Sequence, residues 1–224
     1  MPLQPDPTYQ PPTDPWLSIV HEDERLLVVD KPSGLLTVPG KDPALRDSLE
    51  VRVQERFPQF PHAKMVHRLD RDTSGLLLIA FDKPALGNLG QQFETRRITK
   101  SYVARVWGEI AGENGTIDLP LATDWENRPR QRVDFEAGRQ SRTEWQVIAR
   151  ELGVTRLRLT PLTGRTHQLR VHMLALGHPI LGDGFYAHPE ALAAAPRLQL
   201  HAETLGFFHP ADHRLMQFTS PAPF

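Results

Sequence analysis

Proline and glycine set the terms for this chain. Its 224 residues include 21 prolines and 15 glycines, and breakers at that density cut a chain into short elements joined by turns. Aromatic residues make up only 8%, so strands are favoured over a helical bundle. The hydrophobic share of 39% is enough for one core of ordinary size. Six prolines fall within residues 1–15, where no apolar period is visible, and this segment is expected to be an extended, flexible arm. From Trp16 the pattern changes. Leu17–His21, Leu26–Asp30, Leu76–Phe81, Ser101–Trp107, Thr143–Ala149 and Thr155–Pro161 read as strands, with Leu205–Phe208 and Leu215–Thr219 closing the chain. Thr143–Ala149 and Thr155–Pro161 are expected to form a hairpin around Glu151-Leu152-Gly153. Helices are expected over Asp47–Phe57, over Pro84–Arg97 with proline in its first turn, and from an N-cap at Thr166 to a stop at Gly177. Strands and helices interleave through hairpin-like connections. That predicts a single α+β domain, residues 16–224, around a central, mainly antiparallel mixed sheet flanked by helices and loops.

The composition narrows the chemistry. With no cysteine, disulfides, zinc fingers and a thiol nucleophile are excluded. The N-terminus has no basic stretch leading into an apolar one, and no window approaches 18 consecutive apolar residues. A cytoplasmic protein with no membrane partner is expected. There is no G-x-S-x-G elbow, no G-x-x-x-x-G-K-[ST] loop and no G-x-G-x-x-G fingerprint. His167 and His172 are five apart rather than four, with no glutamate between them, and Asp70-Arg71-Asp72 would set arginines against any cation. Neither metal nor cofactor is expected. Nothing points to a coiled coil, and the chain is expected to be a monomer.

The formal net charge of −1 conceals an uneven distribution. Residues 1–50 hold nine acids and four bases, whereas 51–224 hold eighteen acids and twenty-two bases. No acid occurs from Leu152 to Gly182, a window containing Arg156, Arg158, Arg165 and Arg170 with His167, His172 and His178. Upstream, Arg128, Arg130, Arg132, Arg139 and Arg142 lie beside Trp125 and Phe135. Arginine interleaved with aromatics suits phosphate contacts and base stacking, which makes Arg128 and Arg130 candidate RNA contacts. Salt-bridged strand faces are the alternative, since Glu126, Asp134 and Glu136 lie among the second group.

The segment His67-Arg68-Leu69-Asp70-Arg71-Asp72-Thr73-Ser74-Gly75 carries the clearest chemical signal. It sets the Asp70 carboxylate among arginines just before a buried strand, an arrangement that favours the ionised form and a role as nucleophile or base. A solvated charged turn is the plainer reading of those four charges. On a helix after Thr166, Arg170 shares a face with His167 and Leu174, while Leu169, Met173 and Leu176 can face the core. Spacing alone leaves open whether Arg170 points over a pocket or into solvent. Tyr102, taken alone, reads as a core tyrosine.

Taken together, His67-Arg68-Leu69-Asp70 with Thr73-Ser74-Gly75, Lys31-Pro32-Ser33-Gly34-Leu35, Lys100-Ser101-Tyr102 and Gly164-Arg165-Thr166-His167-Gln168-Leu169-Arg170-Val171-His172 resemble the RluA family of pseudouridine synthases. The likeness extends to Asp118-Leu119-Pro120-Leu121, Asp124-Trp125, Asn127-Arg128-Pro129, Leu174–Asp183 and Leu200-His201-Ala202-Glu203, and covers the chain from Trp16 onward. The resemblance implies an α+β catalytic domain with a basic RNA-binding cleft and no cofactor or metal. It implies an isomerase that detaches uracil from ribose at N1, rotates it and rejoins it through C5. Asp70 then matches the essential aspartate, Tyr102 the tyrosine that packs on the base, and Arg170 the arginine paired with the aspartate. Arg68 matches an arginine that helps hold the everted nucleotide. His67, Arg165 and His167 come over as motif members on the RNA-binding side, without an assigned role. Family members of this length, without the small S4-type RNA-binding domain of larger relatives, act on uridine-32 of tRNA anticodon stem-loops and uridine-746 in a 23S rRNA hairpin. A tRNA-only or other rRNA-site member, and a non-catalytic RNA-binding module, are the alternatives.

Overall fold

The computed structural model of this protein describes residues 9–224. Residues 1–8 of the proline-rich arm lie outside them. Residues 9–15 contain neither helix nor strand, but Tyr9 holds this segment in place. Its hydroxyl donates to the Asp47 carbonyl at 3.0 Å and accepts from the Leu36 N–H at 2.9 Å. The chain forms two compact units, Thr8–Lys100 with Ala202–Pro223, and chiefly Ser101–His201.

The first unit contains β1 (Ile19–Glu22), β2 (Leu26–Lys31), α1 (Leu49–Arg56), β3 (Lys64–Met65), β4 (Ser74–Ala80) and α2 (Lys83–Glu94). The second contains most of β5 (Thr99–Trp107), then β6 (Asn114–Asp118), β7 (Leu121–Thr123), β8 (Gln131–Val133), β9 (Arg142–Glu151), β10 (Val154–Pro161), α3 (Gln168–Ala175) and α4 (Pro189–Ala193). The chain then returns to the first unit with β11 (Leu200–Phe208) and β12 (Leu215–Thr219). The α+β class and the predominance of antiparallel pairing read from the sequence are what the structure has.

In the first unit the strand order is β1-β2-β4-β11, with β3 beside β4 and β12 beside β11. β4 is buried along its whole length, which explains its unbroken apolar run: covered on both faces, it has no polar side to alternate with. It pairs antiparallel with β2 from Leu26 opposite Ala80 to Lys31 opposite Gly75. Asp82 caps α2 by accepting from the Ala85 N–H at 2.8 Å. That helix lays Ala85 and Leu89 against Leu76, Leu78, Ala80 and Phe207. Where β4 begins, only glycine fits. Gly75 has φ +113°, and a Cβ there would fall 2.3 Å from the Ala202 carbonyl oxygen. The end of the charged loop is therefore fixed by backbone against backbone.

In the second unit the order is β5-β10-β9-β6, beside a separate β7–β8 ribbon. The β9–β10 hairpin turns around Leu152-Gly153 as expected, with Glu151 opposite Val154. Two expectations for α3 need correcting. Thr166 is not its N-cap: His167 precedes the helix in a left-handed conformation, φ 54°, and caps nothing with its side chain. The start is held instead by Gln168, whose Oε1 accepts from the Arg165 N–H at 3.0 Å while its Nε2 donates to the Arg142 carbonyl and Thr143 Oγ1, each at 3.0 Å. Nor is α3 amphipathic. Gln168 through Met173 are all buried, and Leu176, expected in the core, is exposed.

Candidate active site

In the first unit, Asp70 sits in a loop whose backbone is held by the Lys31–Thr37 segment. Thr37 Oγ1 donates to the Leu69 carbonyl at 2.7 Å and accepts from the Leu69 N–H at 3.2 Å. The Arg71 carbonyl accepts from Lys31 Nζ and from the Gly34 N–H, each at 2.9 Å, and the Asp72 carbonyl accepts from Ser33 Oγ at 2.7 Å. Lys31 is fully buried, and its ammonium is also satisfied by the carbonyls of Pro32 and Leu35, at 2.9 and 2.8 Å. The Lys-Pro-Ser-Gly-Leu motif is thus the clamp of the His-Arg-Leu-Asp motif. The residues before and after Asp70 are immobilised, which pre-organises the carboxylate between them. Arg68 is exposed in the same loop, whereas Arg71 turns to Asp72 at 2.8 Å.

His67 has a packing role. Its Nε2 accepts from the Leu78 N–H at 3.2 Å, so the proton sits on Nδ1, and its ring tilts against Phe93 with centroids 4.9 Å apart. Burial, with the Lys100 charge as a smaller contribution, pushes its pKa down to about 3. Burial also lowers Lys100, whose ammonium stands 5.5 Å from the Phe93 ring centroid. Unfolded, His67 takes up a proton near pH 6.5; folded, it does so only near 3. The stability gained from holding it neutral is complete above pH 6.5 and is lost as pH falls toward 3, by up to about 1.4 kcal/mol per pH unit. Urea unfolding at pH 7.5 and 5.0 should show that loss. It should shrink in His67→Gln, whose side-chain oxygen can still accept the Leu78 N–H.

In the second unit, α3 carries Arg170 into a buried ion pair. Its Nε donates to Asp183 Oδ2 at 2.8 Å and its Nη2 to Asp183 Oδ1 at 2.6 Å, with the two residues 2% and 1% exposed. The Phe185 and Tyr186 N–H groups also donate to Asp183 Oδ1, at 2.9 and 3.2 Å, and the guanidinium lies 5.1 and 5.2 Å from their rings. His167 is buried, its Nδ1 2.7 Å from the Tyr186 hydroxyl. His172 is also buried, bridging Thr143 and Leu119 at 2.9 and 3.2 Å, and burial lowers its pKa. Tyr102, 9% exposed, faces Leu159 across β5 and β10.

Residues 25–175 match the RNA pseudouridylate synthase family. The chain belongs to that family.

Among relatives, the dual-specificity RNA pseudouridine synthase RluA of Salmonella typhi is 54% identical over 217 residues, covering 96% of this chain and 98% of that protein. The RluA of Escherichia coli (strain K12) is 52% identical with the same coverage. Among solved structures, human RNA pseudouridylate synthase domain containing 1 superposes with a TM-score of 0.75 at 33% identity, over 99% of this chain and 87% of that one. This pseudouridine synthase is accordingly an isomerase that forms pseudouridine in RNA.

The synthase's arginines sort into distinct environments. Arg130 lies 5.3 Å from the Tyr186 ring, so Arg130, His167 and Arg170 gather around one tyrosine. Arg128 stands apart, 3.6 Å over the exposed Trp125 ring, and Arg165 bonds to the Gln140 carbonyl at 3.3 Å before α3. Arg132 and Arg156 pair with Asp134 and Glu151, at 3.0 and 3.3 Å. The acid-free window is therefore not an acid-free neighbourhood: a hairpin brings Glu151 beside Arg156, and Asp183 follows one residue beyond its end. Asp183, Tyr186 and Lys31 went unassigned in sequence reading. The one signal for Asp183 is that it is the first acid after thirty-one residues without one. Among the described residues no group of three or more His, Cys, Asp or Glu is placed to hold a metal ion, and no helix is long and apolar enough to cross a membrane.

Proposed function

We propose that this synthase acts on uridines in folded RNA loops, those of the tRNA anticodon stem-loop and of a 23S rRNA hairpin, with Asp70 as the catalytic carboxylate. The observation that carries this reading is the clamped loop: bonds to Leu69, Arg71 and Asp72 leave Asp70 in the middle of a rigid segment, where a reacting group belongs. Identity of 54% to a protein named for dual specificity supports two kinds of RNA target rather than one. The target uridine must leave its stack, which costs a few kcal/mol and costs least in an unpaired loop. Tyr102 supplies a flat face for the uracil and a hydroxyl for the C5 proton that must leave. Arg170 matches the family's active-site arginine by motif, and Asp183 fixes its guanidinium by two hydrogen bonds. Arg68, exposed in the Asp70 loop, handles the everted nucleotide. Attack on carbon and abstraction of a ribose proton both remain available to Asp70. The protein works as a cytoplasmic monomer.

Pseudouridine mapping of total RNA with and without the gene tests the targets. Both the anticodon-loop site and the 23S rRNA site should revert to uridine on deletion and return with the gene. Loss confined to tRNA would replace dual specificity with a tRNA-only assignment; no lost site in either RNA would overturn the reading.

A further inference from the structure

Tyr186 stands where α3, the Asp183 turn and the β7–β8 ribbon meet. Its ring lies 5.2 Å from the Arg170 guanidinium and 5.3 Å from that of Arg130. Its hydroxyl accepts from the Gln131 N–H at 2.8 Å and is hydrogen-bonded to His167 Nδ1 at 2.7 Å. Its own N–H donates to Asp183 Oδ1, one of the two oxygens holding Arg170. Around the ring, Leu121 from the ribbon and Val171 from α3 complete a small buried cluster, with Val133 and Phe185 packed against it.

These contacts have a mechanical meaning. His167 holds a left-handed backbone that a residue other than glycine adopts only when its surroundings enforce it. The enforcing contacts are the Tyr186 hydroxyl and the Phe185 ring, stacked on the imidazole with centroids 5.5 Å apart. His167 sets where α3 begins, and Arg170 follows one turn later. The same hydroxyl, through Gln131, holds the ribbon next to Arg130. One atom thus ties the start of the Arg170 helix to the strand beside a candidate RNA-binding arginine.

We infer that Tyr186 is a positioning residue of the pseudouridine synthase reaction, locking the ribbon to the helix so that RNA gripped by Arg130 meets Arg170 in one fixed arrangement. This rests on the role proposed for Arg170 and on Arg130 as a candidate RNA contact. Tyr186→Phe keeps the ring against Arg170 and removes only the hydroxyl, so the ribbon loosens while the guanidinium keeps its packing. In tritium-release kinetics on full-length tRNA, kcat/KM should fall about tenfold, most of it as a rise in KM. Gln131→Pro removes the same bond from the other end, at the first residue of β8 where proline is tolerated, and should reproduce the rise. A Tyr186→Phe enzyme that melts earlier but keeps KM within about twofold of wild type, or loses activity in kcat alone, would overturn the inference. So would a Gln131→Pro enzyme with wild-type KM, and this variant decides alone if Tyr186→Phe does not fold. Failure of the underlying reading looks different: an active Asp70→Asn enzyme removes the proposed chemistry whatever the Tyr186 and Gln131 variants do.

Discussion

Asp70→Asn should reduce tritium release from C5-labelled uridine in RNA by at least about a thousandfold while leaving the protein folded. The substitution keeps the size of the side chain and removes its charge, so only chemistry that needs a carboxylate is lost. The fold should tolerate the change because the loop is held through backbone groups. Thr37 grips Leu69, Lys31 and Gly34 grip Arg71, Ser33 grips Asp72, and the Asp70 carbonyl accepts from the Thr73 N–H at 3.2 Å. None of those bonds uses a carboxylate oxygen of Asp70. Melting temperature and tRNA binding should therefore stay near wild type as turnover vanishes. Asp72→Asn is the control: its carboxylate pairs at the surface with Arg71, a pair of the kind that contributes about 0–1 kcal/mol, and it should retain activity. Near wild-type release by Asp70→Asn would sink the assignment.

The first unit is more legible in the sequence than the second, and the reason is physical. β2 and β4 are covered on both faces, so each appears as an apolar run, and α2 announces itself through Asp82 at its cap and proline in its first turn. In the second unit, the surroundings of α3 are tied together by buried polar side chains, Gln168, Arg170, His172 and Asp183 among them. α3 is buried on every side from Gln168 through Met173, which erases the periodicity that separates a core face from a solvent face, and its first turn is set by Gln168 and a strained His167 rather than by a Thr166 cap. The strands β6, β7 and β8 are three to five residues long and carry no run that periodicity can detect. Asp70, Tyr102 and Arg170 stand in motifs and could be named as candidates, but the groups that hold them are scattered. Lys31 is thirty-nine residues before Asp70, and Asp183 is thirteen after Arg170 in a turn. Such partners answer to tertiary geometry, which spacing along the chain does not encode.

Arg170→Ala should be the most destabilising single change at the site. Removing the guanidinium leaves the Asp183 carboxylate almost fully buried with only the Phe185 and Tyr186 amides to bond, and breaking a buried ion pair in this way costs about 3–5 kcal/mol. Lost activity in that variant could then reflect unfolding alone. The double variant Arg170→Met with Asp183→Asn separates the two effects. Methionine fills much of the arginine's volume, and asparagine keeps an acceptor for the two amides without a buried charge. Most of the lost stability should return, measured as the urea midpoint, because the charge whose exposure to an apolar interior caused the loss is gone. Turnover should not return, since the guanidinium proposed to act in the reaction is still missing. Recovery of tritium release together with stability would mean that Arg170 supports only the fold of its unit and has no part in the chemistry.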